Sequence, residues 1–131
     1  QDVHILDWSI SAIESFQQRL PTFPKAHCHV GDFFKHIGHY DMIVEQTFFC
    51  AIDPSLREQY VLAIDNLLAK DGKWAALLFN VQFDGEGPPF GGSIDKYIDL
   101  FRGVFKELVI DETPLSVDPR KGREVFMLGK K

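Results

Sequence analysis

Trp74-Ala75-Ala76-Leu77-Leu78-Phe79 is apolar at every position. A strand with one wet face alternates polar and apolar residues. A continuous apolar run instead fits a strand buried on both faces, as in a parallel sheet covered by helices. The preceding residues show how the chain reaches that strand. Asp53 is a good N-cap and Pro54 suits a first helical position. Leu56, Tyr60, Ile64, Leu67 and Leu68 then give one apolar face, and Lys70-Asp71-Gly72 ends the predicted helix. Before it, residues 40–45 place Met42, Ile43 and Val44 at the centre of another strand. Residues 40–79 therefore read as a strand, a helix and a strand.

The same pattern extends in both directions. Upstream, residues 3–6 form a short apolar run closed by Asp7. Ser9 or Ser11 caps a helix carrying Ile10, Ile13, Phe16 and Leu20, and Pro21 stops it. Residues 26–30 read as a strand ended by Gly31-Asp32, and residues 35–39 as a polar connection. Downstream, the Gly- and Pro-rich residues 84–92 read as a loop. Ser93 caps a helix with Ile94, Tyr97, Ile98 and Phe101 on one side, and residues 106–111 and 124–128 are the last strands. The order β-α-β-β-α-β-α-β-β predicts an open, mostly parallel α/β sheet flanked by helices, with residues 1–131 as a single domain.

Composition bounds the partners. Hydrophobic residues make up 45% of the 131 residues, and 12 are Phe, enough for a core. The formal net charge is -5 and no long basic stretch occurs, so nucleic acid is not an expected partner. No apolar run approaches the roughly 20 residues of a membrane helix, and the first residues lack a signal-peptide pattern. Two cysteines, Cys28 and Cys50, make no disulfide framework, so a reducing, cytoplasmic setting is expected; a monomer is the expected state. The chain begins with Gln1 and enters a strand-like segment at once, which suggests processing, a fragment or a missing start.

Ligands of open α/β sheets bind beyond the carboxyl ends of the strands. Asp7 ends the first strand, where a carboxylate accepts from ribose hydroxyls or simply caps a turn. Trp8 follows, its ring free to lie on an adenine or to pack. After the second strand, Asp32 is a candidate acceptor for a purine amino group and Phe33 a cover for the ring. The third strand runs into Glu45-Gln46-Thr47-Phe48-Phe49, a polar-to-apolar succession suited to a cavity wall. Cys50 has no base beside it in sequence and reads as a structural thiol. His27, His29, His36 and His39 match no metal-binding spacing, so no metal site is expected.

Three segments carry a resemblance to a known family. Residues 40–54, YDMIVEQTFFCAIDP, are similar to the segment after the fourth strand of the thiopurine S-methyltransferase family, with its branch of plant thiol and halide methyltransferases closest. Gly87-Pro88-Pro89-Phe90 resembles that family's active-site loop, and Pro119-Arg120-Lys121-Gly122-Arg123-Glu124 its C-terminal signature. The resemblance implies a Rossmann-like methyltransferase fold, S-adenosyl-L-methionine as cofactor and a small-molecule acceptor. It implies Asp7 at the ribose, Trp8 nearby, and Asp32 and Phe33 at the adenine. Glu45 and Gln46 fall near the methionine portion or the methyl donor; Thr47, Phe48, Phe49, Pro88, Pro89, Phe90 and Arg120 border the acceptor. It also implies a first strand and a glycine-rich turn ahead of Asp2, absent from this sequence. The domain is thus expected to be N-terminally incomplete, with a gap between its first and third strands.

Methyl transfer to a thiol, halide or thiopurine needs alignment more than a strong base, so no catalytic triad is expected. Two other readings compete. One is a non-catalytic module of the same fold, a remnant that binds a nucleoside or a partner. The other is a dinucleotide-dependent oxidoreductase, which the missing glycine fingerprint disfavours.

Overall fold

The computed structural model describes residues 2–113 and 115–131. It divides into two compact units, Gln1–Ile37 and Gly38–Lys131.

In the first unit, β1 (Ile5–Asp7) runs parallel to β2 (Cys28–Val30), with Ile5 beside Cys28 and Asp7 beside Val30. Between them lies α1 (Ile10–Arg19). Ser9 caps it, its side chain accepting the Ala12 amide at 3.2 Å, and the helix ends one residue short of Leu20. Ile13 is its buried residue. The strand expected over residues 26–30 is shorter: residues 25–27 form a 3-10 turn, because Pro24 starts a turn whose carbonyl accepts the His27 amide. The expected first strand is likewise shifted, starting at Ile5 rather than Val3.

The second unit holds β3 (Tyr40–Gln46), α2 (Arg57–Leu67), β4 (Leu68–Phe79), α3 (Ile94–Phe101), β5 (Glu107–Glu112) and β6 (Glu124–Lys130). The sheet order is β3-β4-β6-β5. The β3–β4 ladder is parallel, and β6 pairs antiparallel with both β4 and β5. Three strands thus share one direction and β6 opposes them, so one ladder of this sheet is parallel and the two made by β6 are antiparallel. The strands form two sheets, the β1–β2 pair in the first unit and the four-stranded sheet in the second.

Two helix ends differ from the sequence reading. Asp53 does cap, accepting the Ser55 amide at 2.8 Å, but the first turn, Pro54–Leu56, is a 3-10 turn before α2 begins. Lys70-Asp71-Gly72 does not end the helix. The chain is already extended from Leu68, and residues 70–72 lie within β4. Asp71 there has φ 60, and the β3–β4 register shifts between Tyr40 and Met42, so an irregular stretch imitates a helix stop. Ser93 stands at the N-cap of α3 without a side-chain bond; the Asn80 side-chain oxygen accepts the Ile94 amide instead, at 3.2 Å.

The core of this unit is aromatic. Trp74 on β4 is fully buried against Phe101 of α3 (centroids 4.4 Å apart) and Phe105 (5.5 Å). Its indole N–H donates to the Tyr60 hydroxyl of α2 at 2.8 Å. One face of the sheet is thereby tied to both helices.

Candidate functional site

In the first unit the predicted residues gather at the carboxyl ends of the parallel pair. Asp7 is exposed, and one of its carboxylate oxygens accepts the Ser9 amide at 2.7 Å. Trp8 projects with 74% of its surface exposed. Gly31 follows β2, its amide bonded to the Asp7 carbonyl at 3.1 Å, and so brings Asp32 to the neighbouring strand end. The Asp32 Oδ1 accepts the Phe34 amide at 3.0 Å, and Oδ2 lies 3.5 Å from the Lys35 ammonium. Phe33 and Phe34 meet edge to face at 5.5 Å. An open recess of about 460 Å³ is lined by Leu6, His29, Gly31, Asp32 and Lys35, among others.

In the second unit the site forms around Glu45, in the last turn of pleat of β3. The chain turns sharply after Gln46, with Thr47 at φ 69. That reversal folds the next amides back onto the carboxylate. The Glu45 Oε2 accepts from Phe48 at 3.1 Å and Phe49 at 3.3 Å. Its Oε1 is buried without a hydrogen-bond partner. Burial pushes the Glu45 pKa up to about 7, against the pull of the two amides.

The two motifs of residues 40–54 and 87–90 meet here: the Phe90 amide donates to the Cys50 carbonyl at 2.6 Å. Pro88 and Pro89 are exposed, Phe90 and Phe48 half-buried. Phe49, at 1% exposure, is core, packed on Tyr60, Tyr97 and Phe101. Gln46 and Thr47 are exposed, and the Thr47 hydroxyl is spent on the Gln46 carbonyl at 2.6 Å. Arg120 sits at the end of a 3-10 turn, 3.3 Å from the buried Glu124 carboxylate and 5.6 Å from the Phe79 ring centroid.

Cys50 is buried, its Sγ donating to the Thr47 carbonyl at 3.3 Å. Burial first, and then the Glu45 charge, push its thiol up, leaving little thiolate.

Sequence reasoning missed Arg57. Its guanidinium lies 4.7 Å from the Phe49 ring centroid and donates to the Gly91 carbonyl at 2.9 Å. Arg57 Nε is buried without a partner. Tyr97, read only as helix face, donates its hydroxyl to the Phe79 carbonyl at 2.6 Å, and burial pushes its pKa up to about 12. Only tertiary placement reveals either role.

Gly91 anchors this loop. A Cβ there would lie 1.9 Å from the Val81 carbonyl oxygen, a backbone atom that cannot rotate away. Gly91→Ala is expected to destabilise the fold by about 1–3 kcal/mol in urea denaturation, the range for overpacking. An unchanged midpoint would show that the loop does not approach Val81 so closely.

Comparisons with known proteins bear on the family and the fold. A model of the thiopurine S-methyltransferase (TPMT) family matches residues 3–129. Thiocyanate methyltransferase 1 of Brassica oleracea is 33% identical over 132 residues, covering 96% of this chain and 58% of its own length. Probable thiol methyltransferase 2 of Arabidopsis thaliana is 31% identical over 138 residues, covering 99% of this chain and 61% of its own. The chain thus spans about three fifths of the length of these curated relatives. Among solved structures, the N-methyltransferase NodS of Bradyrhizobium japonicum WM9 superposes with a TM-score of 0.73 at 13% identity, over 98% of this chain and 72% of that one. Similarity at that identity is one of fold, and it bears out the Rossmann-like methyltransferase architecture.

Proposed function

The chain belongs to the thiopurine S-methyltransferase family, and from that premise we propose that the whole protein is an S-adenosyl-L-methionine-dependent methyltransferase acting on a small soft nucleophile: a thiol, a halide or a thiopurine-like compound. The observation that carries the reading is the buried, unpartnered Oε1 of Glu45 at the carboxyl end of a parallel strand. An acceptor in that position is costly unless a cationic or donor-bearing ligand meets it.

The residues present fit the cofactor. Asp7 spends one oxygen on the Ser9 amide and keeps the other for a ribose diol. Trp8 offers an exposed ring to the nucleoside. Asp32, fixed by the Phe34 amide, accepts from the adenine amino group, and Phe33 covers the base. Glu45 and Gln46 serve the methionine portion. When bound, S-adenosyl-L-methionine supplies a methyl group already activated by the sulfonium charge. Thr47, Phe48, Pro88, Pro89, Phe90 and Arg120 shape the acceptor side, and Phe49, expected there, is core instead. Phe48 and Phe90 present apolar surface that excludes water and suits a polarizable sulfur or halide. A halide carries no proton, and a thiol reacts as the thiolate after its proton has passed to water, so no side chain is required as a base. The acceptor is a small molecule, and the protein is taken to work as a cytoplasmic monomer. Among the described residues no helix is long and apolar enough to cross a membrane.

Incubation with methyl-labelled S-adenosyl-L-methionine is expected to label a small thiol, iodide or a thiopurine; transfer to none of them would sink the reading. Calorimetric titration with S-adenosylhomocysteine tests the nucleoside end separately. Asp7→Ala is expected to weaken binding roughly tenfold to a hundredfold, the loss of a charge-assisted hydrogen bond. Undiminished affinity would remove Asp7 from the site.

A further inference from the structure

The first unit holds a second group of side chains that the methyltransferase reading leaves unused. Ile5 and Cys28 are the first paired residues of β1 and β2, so the residues just before them, His4 and His27, stand side by side. Their rings stack with centroids 4.2 Å apart and planes 17° from parallel. Asp2 closes the group: its Oδ1 lies 3.5 Å from His4 Nε2 and 3.2 Å from His27 Nδ1. The three ligand atoms all fall within 4.8 Å of one another.

Two ligands held at about 2.0–2.1 Å by one tetrahedral ion are themselves about 3.3–3.4 Å apart. The two Asp2 distances bracket that spacing. The remaining nitrogen of His4, Nδ1, lies 2.9 Å from His29 Nε2. With Nδ1–H donating to His29, the His4 Nε2 lone pair is turned toward Asp2 and His27, as the outer hydrogen bond of a metal-bound imidazole requires. We propose that Asp2, His4 and His27 bind a divalent transition-metal ion of the zinc class, with His29 holding His4 in the ligating tautomer. Two imidazoles and one carboxylate select zinc, nickel or copper over calcium or magnesium, which take oxygen ligands. The fourth position is left to water. Such an ion clips the segment entering β1 to the turn entering β2 and stabilises the pair, because a preformed site exists only in the folded chain.

The test is titration of the protein with Zn2+ near neutral pH, by calorimetry and by thermal melting. One equivalent is expected to bind and to raise the melting temperature. The paired replacement His4→Ala with His27→Ala abolishes both effects. Asp2→Asn weakens binding while leaving both rings in place; its carboxylate is 74% exposed, so this variant folds even if the paired one does not. His29→Ala weakens binding roughly tenfold to a hundredfold, and His39→Ala, an exposed histidine of the other unit, leaves it unchanged. Co2+ in place of Zn2+ adds the visible absorption of a tetrahedral site, reduced by Asp2→Asn. Zn2+ binding no tighter to the parent than to Asp2→Asn, or equally lost in His39→Ala, would overturn the proposal.

Discussion

Replacing Trp74 with alanine is expected to cost about 3–5 kcal/mol, the range for deleting a large buried aromatic. Domains of this size are stable by roughly 5–15 kcal/mol, so the loss removes much of the folding free energy. The size of the effect follows from three losses at once. The indole has no exposed surface. Its ring faces Phe101 and Phe105. Its N–H is the donor that the Tyr60 hydroxyl accepts inside the layer. Trp74→Phe separates these contributions. It keeps apolar volume and ring contacts but withdraws the donor, so about 1–3 kcal/mol is expected. Denaturant unfolding followed by circular dichroism gives both values. Fluorescence adds an independent check, because the only other tryptophan, Trp8, is 74% exposed. The blue-shifted emission of the folded protein is therefore expected to vanish with Trp74→Ala and leave the red emission of Trp8. A cost under about 1 kcal/mol for the alanine variant would mean that the aromatic layer is not the cooperative core.

The segment that contains Trp74 was also the most legible part of the sequence. Residues 74–79 announce a strand covered on both sides, and their neighbours at 40–46 and 57–67 follow from the same periodicities. Legibility failed where local signals compete with tertiary geometry. Lys70-Asp71-Gly72 has the composition of a helix stop, yet Asp71 adopts φ 60 inside an irregular strand. Ser93 has the chemistry of a cap, but Asn80, distant in sequence, provides the bond. Asp7, Asp32 and Glu45 were readable as lying at or just beyond the carboxyl ends of strands, because each closes or follows an apolar run. Arg57 and Tyr97 were not, because their partners Gly91 and Phe79 lie on other elements. The same holds for Asp2, His4 and His27: linear spacing gives no metal motif, and only the pairing of Ile5 with Cys28 sets them together.

Glu45→Gln is expected to make the protein more stable and less able to bind its cofactor. The stability half follows from the raised pKa. A carboxyl whose folded pKa exceeds its unfolded value favours folding fully below the unfolded value, here the ordinary glutamate value of 4.5, and loses that contribution as pH rises through about 7. Above that pH the folded protein carries a buried charge that the unfolded chain holds in water. Glutamine is close in shape to the neutral acid, and its carbonyl oxygen still accepts the Phe48 and Phe49 amides. The two proteins should therefore be equally stable near about pH 4 and diverge by about 3 kcal/mol near about pH 8, at roughly 1.4 kcal/mol per pKa unit. Denaturant midpoints across that range measure the divergence. The binding half follows from the unpartnered Oε1. A cationic ligand at that oxygen favours the ionised carboxyl, so binding near pH 6–7 should release protons, roughly tenfold to a hundredfold of affinity should depend on the charge, and Glu45→Gln should lose both. Calorimetry of S-adenosyl-L-methionine binding in two buffers of different ionisation enthalpy reads the proton release directly. A variant that is no more stable at high pH would deny the buried charge. A variant that is more stable yet binds as tightly, with the same proton release, would leave the charge real and remove Glu45 from the cofactor site.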